Sequence, residues 1–170
     1  ERGLAVTCNN LGFLYKDKEQ WEEADGCFRR SLDIFKQMDD ERGVTISLNN
    51  LGLLHKDKGE WESGQAVECF LRSLEILERA EDRRGMAATC SDLGFLFKDK
   101  GQWEEADKYF QRTLEILNSM GDEPGKAAAF NSLGFLYTDR EEWTKAGRYF
   151  RQALKILEKM GNERRMADTF

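Results

Sequence analysis

Apolar and polar positions alternate along this chain with a helical period. From Trp21 to about Met38, the residues Trp21, Ala24, Phe28, Ser31, Leu32 and Phe35 share one helical face, while Glu22, Asp25, Arg29, Asp33 and Lys36 share the opposite one. The preceding stretch, Gly3 to about Lys18, brings Leu4, Cys8, Leu11, Gly12 and Tyr15 to one side at the same spacing. A short break at Glu19-Gln20 separates the two stretches. The pattern predicts a pair of helices of roughly 15–17 residues each, about 25 Å long.

The pair repeats. Leu11-Gly12-Phe13-Leu14-Tyr15 returns as Leu51-Gly52-Leu53-Leu54-His55, Leu93-Gly94-Phe95-Leu96-Phe97 and Leu133-Gly134-Phe135-Leu136-Tyr137, at spacings of 40, 42 and 40 residues. A period in that range marks a stacked solenoid, because one repeat cannot bury its own apolar face. The expected architecture is all-α, a single solenoid of four repeats at about 1–40, 41–82, 83–122 and 123–162, with residues 163–170 beginning a fifth first helix. Asp40, Asp82, Asp122 and Asn162 are the expected N-caps of first helices. Pro124 falls in a first turn, where it removes no hydrogen bond. Gly59 and Gly101 mark tight connections inside repeats. A mid-helix glycine costs about 0.5–1 kcal/mol relative to alanine. Gly12, Gly52, Gly94 and Gly134 at one phase therefore imply close approach by the second helix, with Ala24, Ala66, Ala106 and Ala146 as its small face and Trp21, Trp61, Trp103 and Trp143 closing the turn end. The chain begins in phase with a first helix, stops midway through another and has no polar capping helix. It is expected to be part of a longer array, with self-association through its exposed ends.

This constellation resembles the tetratricopeptide repeat: Leu51-Gly52, His55, Trp61, Ala66 and Phe70 in the second copy, and Leu93-Gly94, Phe97, Trp103, Ala106 and Phe110 in the third. Nearly the whole chain is covered. The period exceeds the usual 34 or so residues, which is similar to the long-helix arrays of kinesin light chains and of spindle-orientation adaptors. The second copy departs from the pattern by two extra residues around Ser63-Gly64, where a longer turn or a distorted helix start is expected. The resemblance implies a right-handed superhelix whose first helices line a concave, peptide-binding surface.

On that surface the resemblance places the residues left over from the core: Asn9, Asn49, Ser91 and Asn131; Phe13, Leu53, Phe95 and Phe135; Lys16, Lys56, Lys98 and Thr138; and Val6, Ile46, Ala88 and Ala128. An amide donates and accepts, so a row of Asn suits the backbone of an extended segment of any sequence. The Leu-Asn-Asn-Leu motif at Asn9-Asn10 and Asn49-Asn50 looks like the backbone-gripping row of kinesin light chains; it is partial at Asn131-Ser132 and lost at Ser91-Asp92. Phenylalanines supply apolar pockets and the lysine row a way to read acidic side chains, which points to an acidic-apolar segment. The plainer readings stand beside these: an interhelix hydrogen bond for the amides, packing on the neighbouring repeat for the rings, a solvated helix end for the Lys-Asp-Lys triplets. A chaperone-tail clamp is not expected, since Asn9, Phe13, Ala88 and Asp92 stand where its lysines, asparagine and arginine belong and only Asn50 agrees.

Composition narrows the function further. A net charge of -6 argues against phosphate-backbone binding, so nucleic acid is not an expected partner. No run of 18 apolar residues is present, and no membrane span is expected. The four cysteines form no CxxC pair, which suggests reduced thiols and a cytoplasmic setting. His55, the one histidine, takes an aromatic core slot. No HExxH, Ser-His-Asp or Cys/His metal spacing occurs, and Gly121 to Ala127 fails as a phosphate loop on glycine spacing and on the missing hydroxyl after Lys126. Neither a cofactor nor enzymatic activity is expected. The function expected is protein–protein interaction as an adaptor or scaffold. The alternative is a structural, sensor or oligomerisation arm of a larger signalling protein.

Overall fold

The computed structural model describes residues 1–59 and 64–167, with side chains as far as Gly161. Eight helices occupy these residues: α1 (Arg2–Asp17), α2 (Trp21–Gln37), α3 (Glu41–Asp57), α4 (Gln65–Arg79), α5 (Arg83–Asp99), α6 (Trp103–Met120), α7 (Glu123–Asp139) and α8 (Trp143–Ala167). Two compact units result, Glu1–Gly85 and Met86–Phe170. In the first, α1 packs on α2, α2 on α3 and α3 on α4; in the second, α6 packs on α7 and α7 on α8.

Helix ends follow one rule. A residue with positive φ closes most helices: Glu19, Asp39, Glu81, Gly101, Gly121 and Glu141. The next amide then reaches back to the last turn, as in Gln102 N–H to Phe97 O at 2.9 Å and Asp122 N–H to Leu117 O at 3.0 Å, which satisfies carbonyls the helix leaves open. Between repeats that same next residue is Asp40, Asp82 or Asp122. Each of these accepts a hydrogen bond from the glycine three residues on: Gly43, Gly85 and Gly125, at 3.0, 3.0 and 2.9 Å. One aspartate thus finishes one helix and starts the next.

The expected cap at Asn162 fails. The α8 backbone runs unbroken through it to Ala167. A Cβ at Gly43, Gly85 or Gly125 would press into Phe35, Leu77 or Leu117 of the preceding helix. The corresponding place after Asn162 is Arg165, where the other repeats have glycine. The expected irregularity near Ser63 falls partly on residues 60–63, outside the described residues; α4 begins at Gln65, behind Gly64 at φ 68°.

The mid-helix glycines are explained by rings. A Cβ at Gly12, Gly52, Gly94 or Gly134 would lie 2.5–2.8 Å from Phe28, Phe70, Phe110 or Phe150 of the paired helix. The aromatic, and not the alanine named from sequence, is what presses on the glycine. Ala24, Ala66, Ala106 and Ala146 are nevertheless all buried. Trp21 and Trp103 pack against core clusters, whereas Trp143 is 65% exposed.

Candidate functional site

Helical spacing sets four positions of each first helix in one strip. In the first unit the strips are Val6, Asn9, Phe13 and Lys16 on α1, and Ile46, Asn49, Leu53 and Lys56 on α3. In the second they are Ala88, Ser91, Phe95 and Lys98 on α5, and Ala128, Asn131, Phe135 and Thr138 on α7. Val6, Ile46, Ala88 and Ala128 are all exposed. Phe13 and Phe135 are exposed as well, Phe135 by 55%, while Leu53 and Phe95 are half-buried. The phenylalanines are held edge-on by the paired second helix: Phe13 on Phe28, Phe95 on Phe110 and Phe135 on Phe150, with centroids 5.0–5.3 Å apart. A ring fixed this way presents one surface to solvent at little rotamer cost.

The amide row divides. Asn49, Ser91 and Asn131 are half-buried and reach the strip's surface. Asn9 is only 6% exposed and belongs to the interior, a correction to its expected place. Its Oδ1 is buried without a hydrogen bond, as is Asn50 Nδ2. Unpaired buried amide atoms are costly, and they favour a group that supplies the missing partner.

The lysine row is neutralised from within. Lys16 Nζ lies 2.6 Å from Asp57 and Lys98 Nζ 2.7 Å from Asp139, each bond crossing to the next repeat. Burial opposes charge on Lys98, yet the hydrogen bond and attraction of Asp139, with Asp99, outweigh it and raise its pKa. Lys56 lies 3.9 Å from Asp57. Lys16 and Lys98 brace neighbouring repeats, so these cations, expected to select acidic side chains, are committed elsewhere. Sequence inspection missed the pairing because its partners stand 41 residues apart.

Between repeats the two units differ at one spot. Tyr137 donates to Asp107 Oδ1 at 2.8 Å, under Lys145 and Arg140 at 4.9 and 5.5 Å from its ring. Burial and the Asp107 carboxylate push the Tyr137 pKa well above the phenol range. At the equivalent place, His55 Nε2 stops 3.8 Å from Asp25 Oδ1, which is buried without a hydrogen bond. A cavity of about 290 Å³ opens there, lined among others by Trp21, Asp25, Arg29, Leu54 and His55. His55 is buried, as its aromatic slot predicted. The hydroxyl bond of Ser47 to Ser31 at 3.1 Å, between α3 and α2, was also missed from sequence.

The tetratricopeptide repeat model matches residues 4–79, 63–119 and 85–159. The chain belongs to the tetratricopeptide repeat family. No match was found among curated protein sequences. Similar solved structures include BtubC from P. vanneervenii, at 22% identity and TM-score 0.79, covering 95% of this chain and 66% of that one. A Rap protein complexed with Competence and Sporulation Factor gives 18% identity and TM-score 0.80 over 96% and 45%. A signal transduction ATPase with a tetratricopeptide repeat sensor, from Pyrococcus horikoshii, gives 19% and 0.80 over 96% and 25%. At these identities the likeness shows the fold, all-helical tetratricopeptide repeats, and this chain spans less than two thirds of each neighbour's length. No helix among the described residues is long and apolar enough to cross a membrane.

Proposed function

We propose that the first-helix strips bind an extended segment of a partner protein, making this a non-catalytic interaction module. The observation that carries the reading is the set of large apolar side chains left exposed at repeating positions, Val6, Phe13, Ile46 and Phe135, each beside a polar strip residue. A soluble surface seldom exposes such side chains in register without a use for them. Asn49, half-buried on the α3 strip, carries an amide that can both donate to and accept from a peptide backbone. Because Lys16 and Lys98 are paired, the occupant favoured is an apolar segment read through its backbone, and acidic side chains are not required. Among the described residues no group of three His, Cys, Asp or Glu is placed to hold a metal.

Selection of a random 12-residue peptide library on the chain, followed by fluorescence titration of the hits, tests this. Asn49→Ala and Phe135→Ala are expected to weaken their respective hits about tenfold, as loss of an anchoring contact does. Hits indifferent to both substitutions would refute the strip as the binding surface.

A further inference from the structure

The joint between α2 and α3 has a hole where the joint between α6 and α7 has a phenol. In the second unit Tyr137 donates to Asp107 Oδ1 at 2.8 Å, and its ring stacks on Tyr149 of α8 with centroids 5.4 Å apart. Counted along the repeats, Asp25 matches Asp107, His55 matches Tyr137 and Cys69 matches Tyr149. The first unit thus keeps the carboxylate and has smaller side chains at both ring positions. Asp25 Oδ1 is buried there without a hydrogen bond, and His55 Nε2 stands 3.8 Å from it. The cavity beside them measures about 290 Å³. Roughly 150 Å³ is enough to hold benzene.

We infer that this cavity is a binding site for a small neutral phenol, whose hydroxyl donates to Asp25 Oδ1 and whose ring lies among Trp21, Leu54 and His55. The lining decides the charge of the ligand. Asp25 Oδ2 accepts from Arg29 Nε, and Glu22 pairs with Lys58 at 3.4 Å. Two carboxylates therefore face two cations, and with His55 neutral no net charge is left to select an ion. What remains is one carboxylate oxygen in want of a donor, beside an indole, an imidazole and a leucine. A hydroxyl on a ring supplies that donor and covers the apolar wall at once, as the Tyr137 side chain does from within the chain in the second unit. A water satisfies the oxygen alone and leaves the wall wet. Asp25 and Arg29 are 29% and 57% exposed, so a ligand can enter beside them.

Proton NMR of the chain titrated with p-cresol tests the site. His55 is the one histidine, so its imidazole protons give a signal of their own. That signal should move and saturate as the phenol is added. In 4-methylanisole the same ring carries a methylated hydroxyl that cannot donate. It should bind about tenfold more weakly, as loss of a hydrogen bond to a charged group implies. His55→Tyr supplies ring and hydroxyl from the chain itself, and calorimetric titration of that variant should show no heat of p-cresol binding. The comparison of cresol with anisole needs no variant and stands even if that one misfolds. N-acetyltyrosine amide separates the sources: binding like that of p-cresol makes the donor a tyrosine side chain, binding of p-cresol alone makes it a free phenol, and both keep the site. A histidine signal indifferent to p-cresol, equal affinities for p-cresol and 4-methylanisole, or a folded His55→Tyr variant that binds p-cresol as the parent does would overturn it. Phe13, Asn49 and Phe135 take no part in these readouts, so failure here leaves the strips untouched.

Discussion

A methyl group added at Gly94 would lie 2.5 Å from the Phe110 ring, and Phe110 is fully buried with nowhere to go. Overpacking of this kind costs about 1–3 kcal/mol, more than the roughly 1 kcal/mol of helix propensity that alanine returns. Gly94→Ala should therefore destabilise, while Gly26→Ala, with nothing within 4 Å of its Cβ, should stabilise by about 0.5–1 kcal/mol. Urea unfolding of the two variants decides, and equal effects would remove the ring as the cause. Lys98 gives a second residue-scale expectation. Its folded pKa is raised by Asp139, so its contribution is fully present below the unfolded value of about 10.4 and is lost as pH rises through the folded one. Lys98→Gln should lower stability by about 0.5–1 kcal/mol near pH 7, and the gap to the parent should close in the alkaline range.

At the scale of elements, the contrast between Tyr137–Asp107 and His55–Asp25 separates two otherwise similar joints, α7 on α6 and α3 on α2. Tyr137→Phe leaves Asp107 without its donor and should cost about 1–3 kcal/mol. His55→Tyr places a larger ring and a hydroxyl where a cavity and an unpaired carboxylate oxygen stand, and should raise the melting temperature. Opposite signs in thermal unfolding are the expected outcome, and a destabilised His55→Tyr would show that the cavity cannot accept the ring. Elements were also what the sequence displayed most openly. The recurring Leu-Gly of the first helices and the Trp and Ala landmarks of the second located all eight helices, and Asp caps placed three starts, because both signals act within one or two turns. The run of α8 past Asn162 was hidden: a good capping side chain is visible, but the close approach that demands glycine three residues later is a contact with another helix. The glycines at 43, 85 and 125 recur in phase and carried that signal.

For the whole molecule, two features of the candidate surface were beyond the pattern of the chain. Asn9 and Asn49 share a motif, yet one is interior and the other half-exposed, since burial depends on which neighbouring helix lies above. The lysines look available until the repeats stack. With Lys16 and Lys98 paired internally, a neutral peptide held on either strip should bind with less than about a twofold change in affinity between low and high salt, because no long-range attraction remains to be screened. A steep loss of affinity with salt, measured by titration calorimetry, would return the acidic partner to favour. Asp40, Asp82 and Asp122 each serve two helices at once, so the bend between successive repeats has no slack: a residue gained or lost there would break a cap and a helix end together. The hairpin inside a repeat lacks that aspartate: Gln20 and Gln102 end one helix and precede the next without a side-chain capping bond. Counted along the sequence, the two surplus residues of the second repeat fall at a corner of that second kind, where length changes without removing an aspartate cap.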